Sequence, residues 1–548
     1  MRHHRPLLLA LFVCLGSATT LAAQVEHAHQ GPPPQRLGSV RFPTSCSAGA
    51  QAHFVRGMAL LHSFWYEEAE RAFTAAAQAD ARCAMAHWGI AMSIHHPLWQ
   101  PTPSAQELRR GWDEVERARA LAAPTERERG YVAALAEFYR DPAARDHRTR
   151  MLAYEQALAA LHERHPDDRE AAIFHALLLV ANAPFTDASF ERQRRASAIL
   201  EPLYRATPDH PGLAHYMIHA NDAPPLARDA VQAADRYARI APSVPHARHM
   251  PSHIYTRLGM WDQSIASNLS AAEAARRYER ERGMRAAWDQ RLHALDYLAY
   301  AYLQQGRDDQ ARRVVDEARA VRAVTPEAAA AAHYALAAIP ARYALERGRW
   351  AEAAALPLRP APAFPAAEAI THFARAVGAA RSGRAAQARA EVAALDSVRA
   401  RLAADRQEYW AGVVEVQRTA AAAWLARAEG NADEALRLAA AAAEREEAME
   451  KHPVTPGAVL PARELQGDLL AELGKPAEAL RAYEAVRARE PNRARALFGA
   501  ARAAELAGSP AVARERYGEL QRLMDRAVLE RAEPGFARAF LRAPPPRP

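Results

Sequence analysis

Six of the 23 histidines in this chain fall between residues 210 and 253. Within that stretch, the segments HPGLAHYMIHAND (210–222) and PHARHMPSHIY (245–255) each place two histidines four residues apart. Residues four apart lie on the same face of an α-helix, so two neighbouring helices of this kind would line one pocket with imidazoles. Neutral imidazoles with a nearby carboxylate are suitable ligands for Zn²⁺ and other divalent first-row ions.

The helices that must position these side chains belong to a repeat. Apolar residues recur at helical spacing along nearly the whole chain, and strand signals are almost absent. Residues 460–491 carry the small, aromatic and turn residues of a tetratricopeptide repeat, namely Gly467, Leu470, Gly474, Ala479, Tyr483 and Pro491. The next unit repeats the pattern 34 residues later with Ala501, Gly508, Ala513 and Tyr517. Weaker copies upstream predict an all-α fold, a right-handed α-solenoid of about ten TPR-like helix hairpins over residues 43–542.

In tetratricopeptide proteins, fixed positions of the first helix of each hairpin face the concave groove. Three successive units, the first two of which begin at Pro211 and Pro245, place histidine, aspartate and tyrosine at these positions. The candidate metal ligands are His215, His219, Asp222, His246, His249, His253, His293 and Asp296. His210 is left out because it precedes the helix in a turn. The expected cofactor is a divalent transition metal, with Zn²⁺ favoured by the ligand types, and a bound water would be a nucleophile near neutral pH.

Two other interpretations of the histidines stay open. They could line a ligand pocket that needs no metal, or they could be structural and hydrogen-bond between helices. Other polar and aromatic side chains also fall at groove positions, and we expect them to contact a ligand: His62, Trp88, His95, His96, Tyr300 and Glu464. Instead of contacting a ligand, Trp88 and its helical neighbours could pack in the core. Glu464 could instead belong to a solvent-exposed acidic face.

The N-terminus has the pattern of an export signal. Arg2 and Arg5 precede a short apolar run at residues 7–15, and small residues follow at 22 and 23. Residues 1–23 are therefore predicted to be a signal peptide, and the mature protein periplasmic or secreted. No later stretch is long and apolar enough to predict a membrane span. The remaining segments are a flexible lead-in at 24–42 and a proline-rich tail at 543–548.

Two cysteines remain after the predicted cleavage, Cys46 and Cys83. In an oxidising compartment they are expected to form a disulfide, the alternative being two inert buried thiols. The formal net charge of +7 is spread along the chain with arginine and glutamate interleaved, so no nucleic-acid partner is expected.

Several segments together resemble a family of exported bacterial tetratricopeptide-repeat proteins. They are TSCSAGAQAHFVRGMALLHSFWYEEAERAF, CAMAHWGIAMS, HPGLAHYMIHANDAPPLA, PHARHMPSHIYTRLGMWDQSIASN and PARELQGDLLAELGKPAEALRAYEA. The resemblance implies the fold and export and brings no established activity. The broader repeat class implies partners in the groove, which here means a protein, a peptide or a small-molecule ligand.

The first functional hypothesis is therefore an exported solenoid that binds a ligand or partner protein in a histidine-rich concave groove. The alternative is a metal-dependent enzyme, most simply a hydrolase, that uses the groove histidines as ligands. Whether the protein is an enzyme stays open at this point.

Overall fold

The computed structural model describes residues 35–98, 102–359, 361, 363–528 and 531–543. The predicted signal peptide, most of the predicted lead-in and residues 544–548 of the proline-rich tail lie outside the described residues. Within that part of the chain the regular elements are helical except for one parallel pair of two-residue strands. These are β1 (Ala287–Trp288) and β2 (Val324–Thr325), in which Ala287 pairs with Val324.

The helices are numbered α1 to α26 in chain order. The N-terminal third contains α1 (Ala48–His62), α2 (Tyr66–Ala79), α3 (Ala84–His95), α4 (Ala105–Ala120), α5 (Glu126–Tyr139), α6 (His147–Arg164), α7 (Arg169–Ala181) and α8 (Glu191–Ala206). The central third contains α9 (Pro211–Ala220), the 3₁₀ turn Ala227–Ala230, α10 (Val231–Ile240), α11 (Pro245–His249), α12 (Pro251–Arg257), α13 (Trp261–Glu281), α14 (Asp289–Gln304), α15 (Asp308–Ala320), α16 (Ala330–Leu345) and α17 (Trp350–Ala354). The C-terminal third contains α18 (Pro365–Arg381), α19 (Ala385–Ala404), α20 (Glu408–Ala428), α21 (Ala432–Glu447), α22 (Ala462–Glu472), α23 (Pro476–Arg489), α24 (Ala494–Leu506), α25 (Pro510–Leu523) and α26 (Glu533–Arg542).

Consecutive helices pair as hairpins, and the first helix of one hairpin also packs on the first helix of another, as α1 does on α3, α14 on α16 and α22 on α24. The described residues form twelve such hairpins, one of which has a first helix divided into α11 and α12, and α26 follows the last of them. This arrangement confirms the predicted all-α solenoid of TPR-like hairpins, with slightly more units than the predicted ten.

Small residues allow the paired helices to approach closely. A Cβ placed on Gly57 of α1 would lie 2.6 Å from the Phe73 ring, and one on Gly467 of α22 would lie 2.8 Å from the Tyr483 ring. Since real Cβ atoms do not approach other atoms this closely, both positions require glycine, and the aromatic ring fills the space. The same small–aromatic pairing therefore organises hairpins at both ends of the chain.

The C-terminal hairpins pack back against the central ones. The indole of Trp261 donates to the carbonyl of Asn492 over 2.8 Å. Arg493 is fully buried and pairs with Glu464 at 2.7 Å and with Glu346 at 2.8 Å. The Trp261–Asn492 and Arg493–Glu346 contacts join residues more than 100 positions apart, so they fold the solenoid onto itself.

Two segments of the chain cover the concave face where the histidines lie. Phe64, in the turn after α1, packs with its ring centroid 4.4 Å from His215 and 5.6 Å from His219. On another side, the hydroxyl of Tyr297 donates to the carbonyl of Thr455, in the 449–461 segment before α22, over 3.0 Å. The protein's own segments therefore fill the concave face at this point.

The N-terminal part of the described chain is held by a disulfide and by packing. Cys46 and Cys83 are bonded, with their Cα atoms 4.9 Å apart, as predicted. Residues 36–42, which the sequence assigns to the lead-in, belong to the folded unit: the backbone N–H of Ser39 donates to the carbonyl of Asp209 and Phe42 is buried. Among the described helices, none is long and apolar enough to cross a lipid bilayer.

Candidate metal centre

Four helices of the central hairpins bring six histidines together. They are His215 and His219 of α9, His246 and His249 of α11, His253 of α12, and His293 of α14. Proline is the first residue of three of these helices, at Pro211, Pro245 and Pro251. Proline lacks a backbone N–H, but the first N–H of a helix has no hydrogen-bond partner within the helix, so nothing is lost there. Pro251 also separates α11 from α12, yet His249 and His253 remain one helical turn apart.

The first triad consists of His215, His219 and His246. Nε2 of His215 lies 3.1 Å from Nε2 of His219 and 3.2 Å from Nε2 of His246. The other nitrogens of two of these rings contact acceptors: His215 Nδ1 lies 2.7 Å from the carbonyl oxygen of His62, and His246 Nδ1 lies 2.9 Å from Oε1 of Gln290. The carbonyl oxygen of His62 can only accept, so Nδ1 of His215 carries hydrogen. The amide of Gln290, with its oxygen toward the ring, assigns hydrogen to Nδ1 of His246 as well.

This hydrogen-bond network assigns the tautomers of the first triad. In a neutral imidazole with hydrogen on Nδ1, Nε2 holds a lone pair. The lone pairs of His215 and His246 therefore face each other across 3.2 Å, and neither ring has a hydrogen to share. A cation bound to both nitrogens turns this unfavourable arrangement into a favourable one.

The second triad, formed by His249, His253 and His293, repeats the pattern. Nε2 of His249 lies 3.0 Å from Nε2 of His253. Nδ1 of His253 lies 2.8 Å from a carboxylate oxygen of Asp222, and Nδ1 of His249 lies 2.7 Å from Oδ1 of Asn268. Both Nδ1 atoms must donate to these oxygens, so the two Nε2 lone pairs again face each other.

The amide of Asn268 has a defined orientation. Its Nδ2 donates to the backbone carbonyl of Ser264 over 2.8 Å, which leaves Oδ1 to face His249. The ring of His293 completes the set, with its centroid 4.2 Å from that of His249. In each triad, the three potential ligand atoms lie within 4.8 Å of one another.

Burial keeps these imidazoles neutral. All six side chains are buried, with relative exposures from 0% for His215 to 7% for His219. Burial lowers the pKa of His246 to about 3, and it lowers the pKa of His215 and His249 well below the usual value, with neighbouring histidines adding to the effect. Neutral imidazole is the form that binds a metal ion.

Of the two predicted carboxylate ligands, Asp222 contacts the centre through His253 rather than directly. Its carboxylate accepts from His253, from Arg257 Nε at 2.8 Å and from Lys451 Nζ at 2.8 Å. Burial alone would raise the pKa of Asp222, but Lys451, Arg257 and His253 outweigh it and hold the pKa well below its usual range. Asp222 is thus an ionised acceptor that orients the His253 ring.

The second predicted carboxylate, Asp296, is engaged elsewhere. It lies one turn after His293 on α14, and its Oδ1 accepts from Nε of Arg342 over 3.1 Å. Arg342 is itself fully buried and continues to the carbonyl of Gly457. Asp296 therefore helps to hold the segment that covers the second triad and lies outside the cluster of ligand atoms.

A third group, His62, His210 and Glu170, has a different hydrogen-bond pattern. Glu170 accepts from Nε2 of His62 at 2.9 Å and from Nε2 of His210 at 3.0 Å. Here an acceptor lies between two donors, so the hydrogen bonds are satisfied without a metal. His210 also accepts from the backbone N–H of Leu213 and so caps α9, in agreement with its predicted place before that helix.

The other predicted groove residues do not share one surface. Trp88 is fully buried beside Phe42, and Nε2 of His95 lies 3.1 Å from the sulfur of Met151. Tyr300 and Glu464 meet at the buried Arg493, which donates to the hydroxyl of Tyr300 at 2.9 Å. Only His96 among these side chains lines a cavity that reaches the histidine centre.

That cavity has a volume of about 550 Å³ and lies between the N-terminal and C-terminal hairpins. Its wall includes His219 of the first triad together with His96, Asp222, Lys451 and His452. The first triad therefore meets the cavity through His219. A small molecule in this cavity would contact the first triad.

Sequence reasoning missed the residues that orient the histidines. Asn268 lies on α13, Gln290 on α14 and Arg257 at the end of α12, and Lys451, which contacts Asp222, comes from a segment about 200 residues away. The scarcity of lysine was a usable signal, because Lys451 is one of only two lysines in the chain.

No family model matches this chain, and no curated protein matches it. Solved structures resemble it at low identity. The Cut9–Hcn1 hetero-tetramer of the APC/C is 12% identical with a TM-score of 0.36, over 91% of this chain and 77% of that one. Yeast Tom70 is 11% identical with a TM-score of 0.32, and the match covers 90% of this chain and 95% of that one. The P58(IPK) TPR domain is 12% identical with a TM-score of 0.22, and the match covers 90% of this chain and 98% of that one. We draw no functional conclusion from likeness at this level.

Proposed function

We propose that this protein is a helical-repeat metalloprotein that holds two transition-metal ions, one in each histidine triad. The observation that carries the proposal is the pair of opposed lone pairs, His215 with His246 and His249 with His253, at Nε2 distances of 3.2 and 3.0 Å. Hydrogen bonds from Nδ1 to oxygen acceptors orient the rings in the way that protein metal sites use. The sequence-based expectation of a divalent ion, Zn²⁺ included, is retained for both triads.

The ligand of the solenoid is, on this proposal, a small molecule. The histidines are buried, and Phe64 and the 449–461 segment fill the face that a protein or peptide partner would need. The cavity of about 550 Å³ beside His219 is of a size for small-molecule ligands. The first site would use its remaining coordination position there, either to bind the ligand or to activate water against it.

The proposal also places the mature protein outside the cytoplasm, in the periplasm or secreted. The pattern of residues 1–23 supports export, and the disulfide between Cys46 and Cys83 agrees with an oxidising compartment.

Metal analysis of the purified protein tests the proposal. We expect two transition-metal ions per chain after native purification or reconstitution. His219→Ala should lose the ion of the first triad, and His253→Ala the ion of the second, with circular dichroism unchanged. The control is His53→Ala, which removes an exposed histidine of α1 and should keep both ions. A protein that holds no stoichiometric metal after reconstitution contradicts the proposal.

A further inference from the structure

We infer that a second cavity of this protein binds a free α-amino acid with an aromatic side chain. The cavity is distinct from the two histidine triads, so the inference goes beyond the proposed function and does not depend on it. It is carried by the aromatic wall of the cavity, by a carboxyl and a guanidinium that line it without an ion pair among the described residues, and by a buried amide oxygen.

The cavity lies beside the first helices of successive hairpins. Its wall is made by residues of α16, α18 and α20, by the ends of α21 and α23, and by the 449–461 segment. None of the six triad histidines is among the described residues that line it. It adjoins the cavity beside His219, because Tyr409, Met449, Glu450 and Lys451 line both.

Aromatic side chains form the buried part of the wall. Tyr334 of α16, Phe373 of α18 and Trp410 of α20 are each at most 5% exposed. Tyr409 packs edge-on against Trp410, with ring centroids 5.0 Å apart. The cavity has a volume of about 140 Å³. An engineered protein cavity of about 150 Å³ holds benzene, so this wall and volume suit one aromatic ring.

Glu446, near the end of α21, is the carboxyl of the cavity that has no cation. It accepts from the backbone N–H of Ala462 over 2.7 Å. No ion pair joins it to an arginine, lysine or histidine within the part of the chain that the structure describes. A ligand ammonium would supply the missing cation.

Arg489, the last residue of α23, is the matching cation of the cavity. Its Nη1 donates to the backbone carbonyl of Glu447 over 3.3 Å, and no carboxylate of the described residues pairs with it. The other cations of the wall each have a carboxylate: Arg463 pairs with Glu447, Arg257 with Glu450, and Lys451 with Asp222.

One small molecule can satisfy both groups. Arg489 is close enough to Glu446 to oppose the rise of its pKa, yet the two form no ion pair with each other in the described chain. An α-amino acid carries an ammonium and a carboxylate on one carbon atom, so it can bridge them. A peptide carries these charges at opposite ends, which is why the inference names a free amino acid.

Two further acceptors line the cavity. Oε1 of Gln417 is buried and has no hydrogen-bond partner among the described residues, an uncommon state that a ligand donor would relieve. Glu490 accepts from the hydroxyl of Tyr300 over 3.0 Å and lies 3.8 Å from Arg493. An ammonium has three N–H donors, and Glu446, Glu490 and Gln417 supply three acceptors.

Binding of this ligand should release a proton. Burial raises the pKa of Glu446 to about 8, with Glu490 and Glu447 adding to the rise and Ala462 and Arg489 opposing it, so the carboxyl is protonated at neutral pH. A bound ammonium favours the ionised carboxylate and displaces that proton. The other charged and titratable groups that line the cavity are Arg257, Tyr300, Tyr334, Tyr409, Glu450, Lys451 and Arg463.

Calorimetric titration of the full-length mature protein with L-phenylalanine tests the inference. We expect one bound molecule per chain. 2-Phenylethylamine lacks the carboxylate and 3-phenylpropionate lacks the ammonium, so each should bind at least about 10-fold more weakly. Titration at pH 7 in two buffers of different ionisation enthalpy should show release of about one proton per bound L-phenylalanine.

Variants of the two charged groups locate the ligand. Arg489→Gln should raise the dissociation constant of L-phenylalanine at least about 10-fold and leave that of 2-phenylethylamine unchanged. Glu446→Gln should weaken L-phenylalanine to a similar extent and abolish the proton release. The matched controls are Arg481→Gln and Glu444→Gln, at exposed positions of α23 and α21, and both should bind as the wild type does.

Several outcomes would overturn the inference. They are no binding of L-phenylalanine, equal affinity for L-phenylalanine and either analogue, or unchanged affinity in Glu446→Gln. Should Arg489→Gln unfold, the comparison of L-phenylalanine with 2-phenylethylamine on the wild type still decides whether a carboxylate is recognised.

His219→Ala separates this inference from the proposed function. The variant removes a candidate metal ligand that does not line this cavity, so it should keep the affinity for L-phenylalanine. Loss of binding in His219→Ala would mean that the amino acid binds at the first triad, and the inference would be wrong. A protein that binds L-phenylalanine in this way but holds no metal supports the inference and contradicts the proposed function alone.

Discussion

Nε2 of His249 lies 3.0 Å from Nε2 of His253, although the hydrogen on the opposite nitrogen of each ring is already donated to Asn268 or Asp222. Two neutral imidazoles cannot hydrogen-bond to each other in this state, because both present lone pairs. The fold therefore holds two electron-pair donors in an arrangement that only a cation stabilises. The first triad repeats this relationship between His215 and His246.

The first prediction concerns the residue that orients His249. Asn268→Leu removes the oxygen that accepts from His249 Nδ1, so the ring loses its fixed tautomer and orientation. We expect metal affinity at the second triad to fall by about 10- to 100-fold, as for other residues that hold metal ligands. Titration with a competing chelator measures this loss, while the first triad should keep its affinity.

Asn221→Leu is a matched control. Asn221 is also buried, and its Nδ2 donates to the carbonyl four residues back over 2.8 Å, as that of Asn268 does. Its side chain has no hydrogen bond to a histidine of either triad among those of the described residues. Equal loss of affinity in both variants would mean that the effect is a general loss of packing and would argue against the assigned role of Asn268.

Metal removal should destabilise the protein. The triads join α9, α11, α12 and α14, so an ion bound to the native state and absent from the unfolded chain stabilises the central hairpins. At a free metal concentration 100 times the dissociation constant, each site adds about 2.7 kcal/mol to the free energy of unfolding. Thermal melting with and without a chelator measures the change. A melting temperature that does not respond to chelation in a metal-loaded sample would contradict this prediction.

The grouping of the histidines could be predicted from the register of the repeat. His215, His219, His249 and His253 were assigned to one face because their spacing matches a helical turn, and the structure places them together. His293 was assigned to the same group because the repeat predicts that the first helix of the following hairpin lies beside the first helices of the two before it. These inferences succeeded because they depended on periodicity, which is a local property of the chain.

Three features could not be predicted, because they depend on contacts between distant parts of the chain. Tetratricopeptide geometry places groove residues on an open face, yet Phe64 and the 449–461 segment fill it. Asp296 stands at a groove position but pairs with Arg342 on α16, and no local pattern predicts that choice. The packing of the C-terminal hairpins against the central ones could not be predicted either, because a 34-residue period describes only neighbouring hairpins.

The buried ion pair of Arg493 and Glu464, within the C-terminal hairpins, should contribute strongly to stability. Arg493 and Glu464 are both fully buried and meet through two N–H···O contacts, of 2.7 and 3.2 Å. Glu464→Ala leaves a buried guanidinium short of a partner, and we expect it to lower the free energy of unfolding by about 3 to 5 kcal/mol. Chemical denaturation measures the difference.

Glu434→Ala is the control for this change. Glu434 pairs with Arg437 one turn away, and that arginine side chain is 65% exposed, so the loss of this pair should leave the free energy of unfolding nearly unchanged. If both variants lose the same small amount of stability, the buried pair of Arg493 and Glu464 does not make the strong contribution assigned to it.

Stability should also respond to pH through Glu446, a half-buried carboxyl at the end of α21. Burial raises its pKa to about 8, the backbone N–H of Ala462 and the charge of Arg489 oppose the rise, and Glu490 and Glu447 add to it. The folded state therefore holds a proton that the unfolded state has lost above about pH 4.5. This contribution to stability falls as the pH rises from about 4.5 to 8 and stays low above that range.

Glu446→Gln keeps an oxygen for the N–H of Ala462 and removes the charge. We expect the variant and the wild type to melt at the same temperature near pH 4 and the variant to melt higher at pH 9. Glu444→Gln, at an exposed position on the same helix, should follow the wild type at both values. Melting curves that stay parallel for Glu446→Gln and wild type across this range would show that the carboxyl is ionised in the folded protein at neutral pH.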